Sequence, residues 1–157
     1  MGQKALEGKA LKQIVKAFLL GGERTPTQDI RYQFQQLTDV VVRALSPGIN
    51  DPFTALNGID ELASGMALLA ERARPAEMRQ DDKGVLRLTL PTPTVGEILE
   101  ETVGHIAIYG AGDRFVMAGL RRVLDVVESR VNDADNLAIL VRLRENLATL
   151  EQSKSIG

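Results

Sequence analysis

Residues 43–54 read Arg43-Ala44-Leu45-Ser46-Pro47-Gly48-Ile49-Asn50-Asp51-Pro52-Phe53-Thr54. Pro47 disfavours helical geometry in the residue before it and Gly48 permits a left-handed turn, so an arriving helix stops near Ser46. Asp51-Pro52 then supplies an acidic N-cap followed by proline at the first helical position, which starts a new helix. The stretch is a corner between two helices, and the periodicity on both sides agrees. Upstream, Ile30, Phe34, Leu37, Val41 and Leu45 recur at helical spacing; downstream, Leu56, Ile59, Ala63, Met66 and Ala70 do the same. Gly58 and Gly65 share one side of the downstream helix and predict the close approach of another backbone.

The same punctuation divides the rest of the chain. Residues 7–20 set Leu11, Ile14, Val15 and Phe18 on one helical face and Lys9, Lys12 and Lys16 on the other, with Gly21-Gly22 as the stop. Thr25-Pro26-Thr27-Gln28 predicts the start of the second helix, with Thr25 as N-cap and Gln28 completing a capping box. Residues 73–84 are charged, contain Pro75 and read as a surface loop. Residues 85–90 read as a short strand ended by Pro91 and Pro93, with no evident partner in the chain. Thr94-Val95-Gly96-Glu97 opens a helix expected to bury Val95, Ile98, Thr102, Ile106 and Tyr109, and Gly110 closes it. Asp113 caps the next helix, whose face is Val116, Leu120, Val123 and Val127. A last helix runs from Asn132-Asp133 to about Gln152. Leu137, Ile139, Leu140, Val141, Leu143, Leu147 and Leu150 cover more than half its circumference, so it is expected either at the centre of the core or against a second copy. The reading is a mainly α fold of about six helices in one bundle-like domain, residues 1–157, with one short strand or hairpin near residues 85–90.

Composition removes many function classes. A chain of 157 residues with 44% hydrophobic residues buries an ordinary single core without metal or disulfides, and it has no cysteine. One histidine, His105, cannot build a multi-histidine metal site. Nineteen basic against 21 acidic residues, with 4% aromatics and no Trp, argue against nucleic acid as a partner. No stretch approaches the length of apolar sequence that a membrane span needs, and as given the chain reads as soluble. No cofactor is implied.

Individual chemical motifs fail on context. Ser64 lies inside a helix without the strand-turn-helix setting of a nucleophile elbow. Gly110-Ala111-Gly112-Asp113 follows a helix where a dinucleotide fingerprint follows a strand, and reads as a helix-to-helix turn. Asn132-Asp133-Ala134-Asp135-Asn136 lacks the glycine and glutamate of a calcium loop and reads as a cap. His105 sits one turn after Glu101, either as a general base or as half of an ordinary i,i+4 pair; no nucleophile can be assigned near it. Arg144 lies within the apolar stripe of the last helix and Asp60 at the margin of the third, and each is either a snorkelling surface residue or half of a specific interhelical or intersubunit pair. The lysine stripe of the first helix is either a solvated face or a contact for anionic lipid headgroups.

The densest polar constellation is the corner itself. Arg43, Ser46, Asn50 and Asp51, with Arg24 and Asp29 nearby, suit a rigid small-ligand or anion site at a helix N-terminus. The other reading is a structural corner in which Asp51 caps the helix and Asn50 and Ser46 satisfy free backbone groups.

The run Arg43 to Ala55, preceded by Gly22-Glu23-Arg24-Thr25 and Gln28-Asp29, resembles the bacterial family of predicted membrane proteins called domain of unknown function two-two-five-four. Tyr109-Gly110-Ala111-Gly112-Asp113 is similar to a second, weaker family segment, and the resemblance covers roughly residues 10–130. It implies the soluble C-terminal region of a longer membrane-anchored protein, on the cytoplasmic side of the bacterial inner membrane. A missing upstream segment could then pair with the strand at 85–90. The resemblance supplies no catalytic residue or ligand. The expected function is a non-enzymatic interaction or regulatory domain, held at the membrane by N-terminal segments or the Lys-rich first helix and able to self-associate through the last helix. The alternative is a sensor using the Arg43 to Thr54 turn.

Overall fold

The computed structural model of the chain describes residues 8–17 and 29–155. Its elements are α1 (Lys9–Ala17), α2 (Ile30–Ala44), α3 (Pro52–Glu71), β1 (Met78–Gln80), β2 (Leu86–Thr89), α4 (Val95–Gly110), α5 (Arg114–Glu128) and α6 (Ala134–Ser155). The mainly α expectation holds, with one hairpin.

Helices α2 to α6 form the bundle, and interhelical pairs fix their directions. Asp60 pairs with Arg122 and Glu71 with Arg130, so α3 and α5 run parallel. Arg144 bridges to Asp125 and Glu128, and Arg121 to Glu151, so α6 runs back along α5. Arg142 holds both oxygens of Glu100 at 2.8 Å, and the Asn136 Oδ1 accepts from the Gly96 N–H at 2.7 Å, which sets α6 parallel to α4. Arg31 reaches Glu101 at 3.1 Å and Glu97 at 3.8 Å, tying α2 to the start of α4. Arg144 and Asp60 are thus halves of interhelical pairs.

The central helix is α4, not α6. Helix α4 packs against α2, α3, α5 and α6 and buries Ile98, Leu99, Thr102, Val103, Ile106 and Ala107. Such wide burial suits a helix with neighbours on most sides. Helix α6 buries a narrower stripe, Leu140, Leu143 and Leu147, with Leu137, Ile139 and Leu150 at its margins; Val141 is left exposed. Most of the apolar stripe of α6 thus packs within the bundle.

Buried threonines carry their own acceptors. Thr38 Oγ1 donates to the Phe34 carbonyl at 2.8 Å and Thr102 Oγ1 to the Ile98 carbonyl at 2.8 Å, so neither hydroxyl pays for an unmade bond. Gly58 faces Val41 and Gly65 faces Phe34, both side chains of α2. A Cβ built at Gly58 would overlap Val41 Cγ2. The close approach expected there is real, but it is made by side chains rather than by a second backbone.

Several boundaries differ from the sequence expectation. The N-cap of α2 is Asp29, whose Oδ1 accepts from the Tyr32 N–H at 3.0 Å; Thr25, Pro26 and Gln28 lie outside the described residues, as does Phe18. In α3 the buried face is Ala55, Ile59, Leu62 and Met66, while Leu56, Ala63 and Ala70 pack at its edge. The strand at 85–90 has its partner inside the region read as a loop: β1 pairs antiparallel with β2, in the register Met78↔Thr89 and Arg79↔Leu88, with a bulge between Arg79 and Gln80. The hairpin therefore needs no upstream segment. It packs against none of the described helices.

Helix α1 also packs against no other described element. Its Leu11, Ile14 and Val15 are exposed, and the helix contains no acidic residue.

Candidate functional site

The bundle has two ends. At one, the α2–α3 corner meets the α4–α5 turn, and Leu45 packs beside Gly110 to join them. At the other, the starts of α4 and α6 meet the ends of α3 and α5.

The corner is held by its own backbone. Ser46 Oγ donates to the Arg43 carbonyl at 2.7 Å, the Ser46 carbonyl accepts from the Asn50 N–H at 2.8 Å, and the Ala44 carbonyl accepts from the Asp51 N–H at 2.8 Å. Asn50 adopts φ 48°, a left-handed conformation that asparagine tolerates better than most side chains. Asp51 caps α3: its Oδ1 accepts from the Thr54 N–H at 3.1 Å and its Oδ2 from the Thr54 hydroxyl at 2.6 Å. The Thr54 hydroxyl first, and then its N–H, hold the Asp51 carboxyl below the usual aspartate range. Of the proposed site residues, Ser46, Asn50 and Asp51 thus build the corner, and Asp29 caps α2 at the opposite end. The Arg43 side chain is exposed with no ion-pair partner among the described residues, and Arg24 lies outside those residues. The corner brings together Arg43, Ser46, Asn50 and Asp51, without Asp29.

What the corner presents outward is apolar. Ile49 is 55% exposed and Phe53, in the first turn of α3, is 78% exposed. Parallel packing of α3 and α5 puts Phe115, in the first turn of α5, at the same end, where it is 58% exposed. Tyr109, expected in the core, is 50% exposed in the last turn of α4, because the α4 face turns through Ile106 and Gly110 instead. Arg114 lies over the Phe115 ring at 4.6 Å, a cation–π contact. The Asp113 carboxylate caps α5 by accepting from the Phe115 and Val116 N–H groups at 2.7 and 3.2 Å. Ile49, Phe53, Tyr109 and Phe115 thus put four exposed large side chains at this end of the bundle. The sequence held a signal for them: Phe53 and Phe115 are out of phase with the buried stripes of their own helices.

The opposite end holds an open groove of about 890 Å³, lined by Ile30, Leu69, Arg72, Arg74, Val131 and Asn136 among others. Its polar groups are mostly engaged. Arg74 is held by Glu77 and by the Thr92 carbonyl, and Arg130 by Glu71 at 3.0 Å. Thr94 and Glu97 close a reciprocal capping box on α4. Asp133 accepts from the Asn136 backbone N–H at 2.9 Å, which holds its carboxyl below the usual range, so the Asn132–Asn136 segment is a cap as read.

His105 is exposed, its ring set edge-on to Tyr109 at 5.5 Å, while Glu101 pairs with Arg31. No cluster of His, Cys, Asp and Glu able to hold a metal ion occurs among the described residues. None of the described helices is long and apolar enough to cross a membrane.

Fold and surface together define an all-α bundle with an exposed apolar end and an amphipathic helix outside the bundle. The chain belongs to the family described as Predicted membrane protein (DUF2254), which it matches over residues 2–126. It is 37% identical over 114 residues to uncharacterized proteins of Mycobacterium bovis and of two strains of Mycobacterium tuberculosis, covering 73% of this chain and 22% of each relative. The chain thus spans about a fifth of the length of the curated relatives it matches. No solved structure matches it.

Proposed function

We propose that this chain is a non-enzymatic interaction domain that works at the surface of a membrane, on the cytoplasmic side, with α1 as a contact for anionic lipid headgroups. The observation that carries the reading is α1 itself. Leu11, Ile14 and Val15 lie exposed on one side, Lys12 and Lys16 on the other, and no part of the bundle covers it. A nine-residue helix alone in water is marginal, so a surface that accepts its apolar side also stabilises its fold. Membership of a predicted membrane protein family supports that surface being a bilayer. Cytoplasmic leaflets attract basic segments at about 1 kcal/mol per lysine near the surface.

The test is co-sedimentation of the whole chain with vesicles of phosphatidylglycerol and phosphatidylcholine. The double variant Lys12→Gln/Lys16→Gln should bind about thirtyfold more weakly, the equivalent of about 2 kcal/mol, and added salt should weaken the parent chain in the same way. Equal binding to vesicles of phosphatidylcholine alone would contradict the reading.

A further inference from the structure

We infer that the corner end of the bundle is a second, independent membrane contact: a rigid apolar wedge that enters the headgroup region of an anionic bilayer. Four large side chains form it. Ile49 stands on the corner, Phe53 and Phe115 begin the parallel helices α3 and α5, and Tyr109 ends α4. The backbone beneath them is fixed by Pro47 and Pro52 and by the hydrogen bonds of Ser46 and Asp51, so presenting these side chains costs little ordering on binding.

The choice of a bilayer over another occupant rests on charge. Arg43 and Arg114 belong to the same end, and neither has an ion-pair partner among the described residues, whereas the arginines of the helix interfaces, Arg122, Arg142 and Arg144, are paired. Asp51 and Asp113, the carboxylates beside them, are turned into helix N-termini as caps. An apolar tip that shares its end of the bundle with two arginines lacking ion-pair partners among the described residues complements acyl chains capped by phosphate, and aromatic side chains are favoured at that depth. Association with a membrane at all is the preceding proposal; the wedge adds which end of the bundle touches it.

The chain has no cysteine, so a single environment-sensitive dye can be placed at will. Labelled Phe53→Cys and Phe115→Cys should each show a blue-shifted, brighter emission on adding phosphatidylglycerol-containing vesicles, and labelled Asp82→Cys, in the hairpin turn, should not. The unlabelled variant Phe53→Ser/Phe115→Ser should keep its helical circular dichroism and bind those vesicles about tenfold more weakly. In the Lys12→Gln/Lys16→Gln background the Phe53 probe should still shift once enough lipid is added, which separates the wedge from α1. Vesicle-bound protein with silent probes at both positions would overturn the wedge and leave the α1 reading standing. A shift that needs no vesicles and grows with protein concentration would assign this end to a second copy and overturn it as well.

Discussion

At the groove end of the bundle Arg74 is held by Glu77 and Thr92, Arg130 by Glu71, and the starts of α4 and α6 are closed by Thr94, Glu97 and Asp133. At the corner end the backbone is equally well satisfied, yet Arg43 and Arg114, at the same end as Ile49, Phe53, Tyr109 and Phe115, have no ion-pair partner among the described residues. Both ends are built from helix termini and short turns, and both use proline and aspartate to start helices. They differ in their arginines: Arg74 and Arg130 are paired at the groove end, whereas Arg43 and Arg114 at the corner end have no ion-pair partner among the described residues, and it is on that difference that the proposed membrane contact rests. A membrane-facing role should therefore be separable from folding at the corner end and inseparable from it at the groove end.

The largest effect expected is one that breaks both ends at once. Leu143→Ala empties a fully buried site between α4 and α6 and should cost about 2–5 kcal/mol by urea denaturation, loosening every helix end that α4 organises. Asn136→Ala should cost about 1–3 kcal/mol, since the buried Gly96 N–H loses its acceptor across the α4–α6 interface. Asn50→Val tests the corner backbone: a β-branched residue at φ 48° should destabilise by about 1–2 kcal/mol, while Asn50→Gly should be close to neutral.

Acid should act on both ends together. The carboxyls of Asp51 at the corner and Asp133 at the groove end are held below the ordinary value of 3.8, as is Asp81 in the hairpin, chiefly by the Val85 N–H. The unfolded chain then binds protons first as pH falls, so their stabilisation is present above about 4 and is lost below it. Melting temperatures should be flat from pH 7 to pH 5 as far as these groups are concerned and decline below about 4; Asp51→Asn should remove part of that decline. The smallest effect belongs to the wedge. Phe53→Ser should change stability by no more than about 0.5 kcal/mol, because the ring is packed on so little, and a larger loss would show that Phe53 serves the fold.

Most of this architecture was legible because helix punctuation is local. Asp51-Pro52, the Thr94–Glu97 box and Asp113 announce three helix starts, and each cap is formed as the residues imply. What failed was whatever depends on neighbours. The wide stripe of α6 suggested a central helix, but the breadth of burial belongs to α4, whose small residues Gly96, Ala107 and Gly110 let other helices close around it. The β2 strand seemed unpartnered because its partner, Met78-Arg79-Gln80, is three residues long, exposed and without alternation. Ser46, Asn50 and Asp51 were legible both as a site and as a corner. Their chemistry is the same in either role, and only the hydrogen-bond partners show how it is used. The apolar residues beside them, out of phase with the core, are the signal on which the proposed membrane contact rests.

The most direct test of the contrast between the ends is amide hydrogen exchange of the whole chain with and without phosphatidylglycerol-containing vesicles. The account predicts that lipid slows exchange at residues 46–54 and 109–116 while residues 72–78 and 130–136 are unchanged. Protection confined to the groove end, in protein that is demonstrably vesicle-bound, would contradict it.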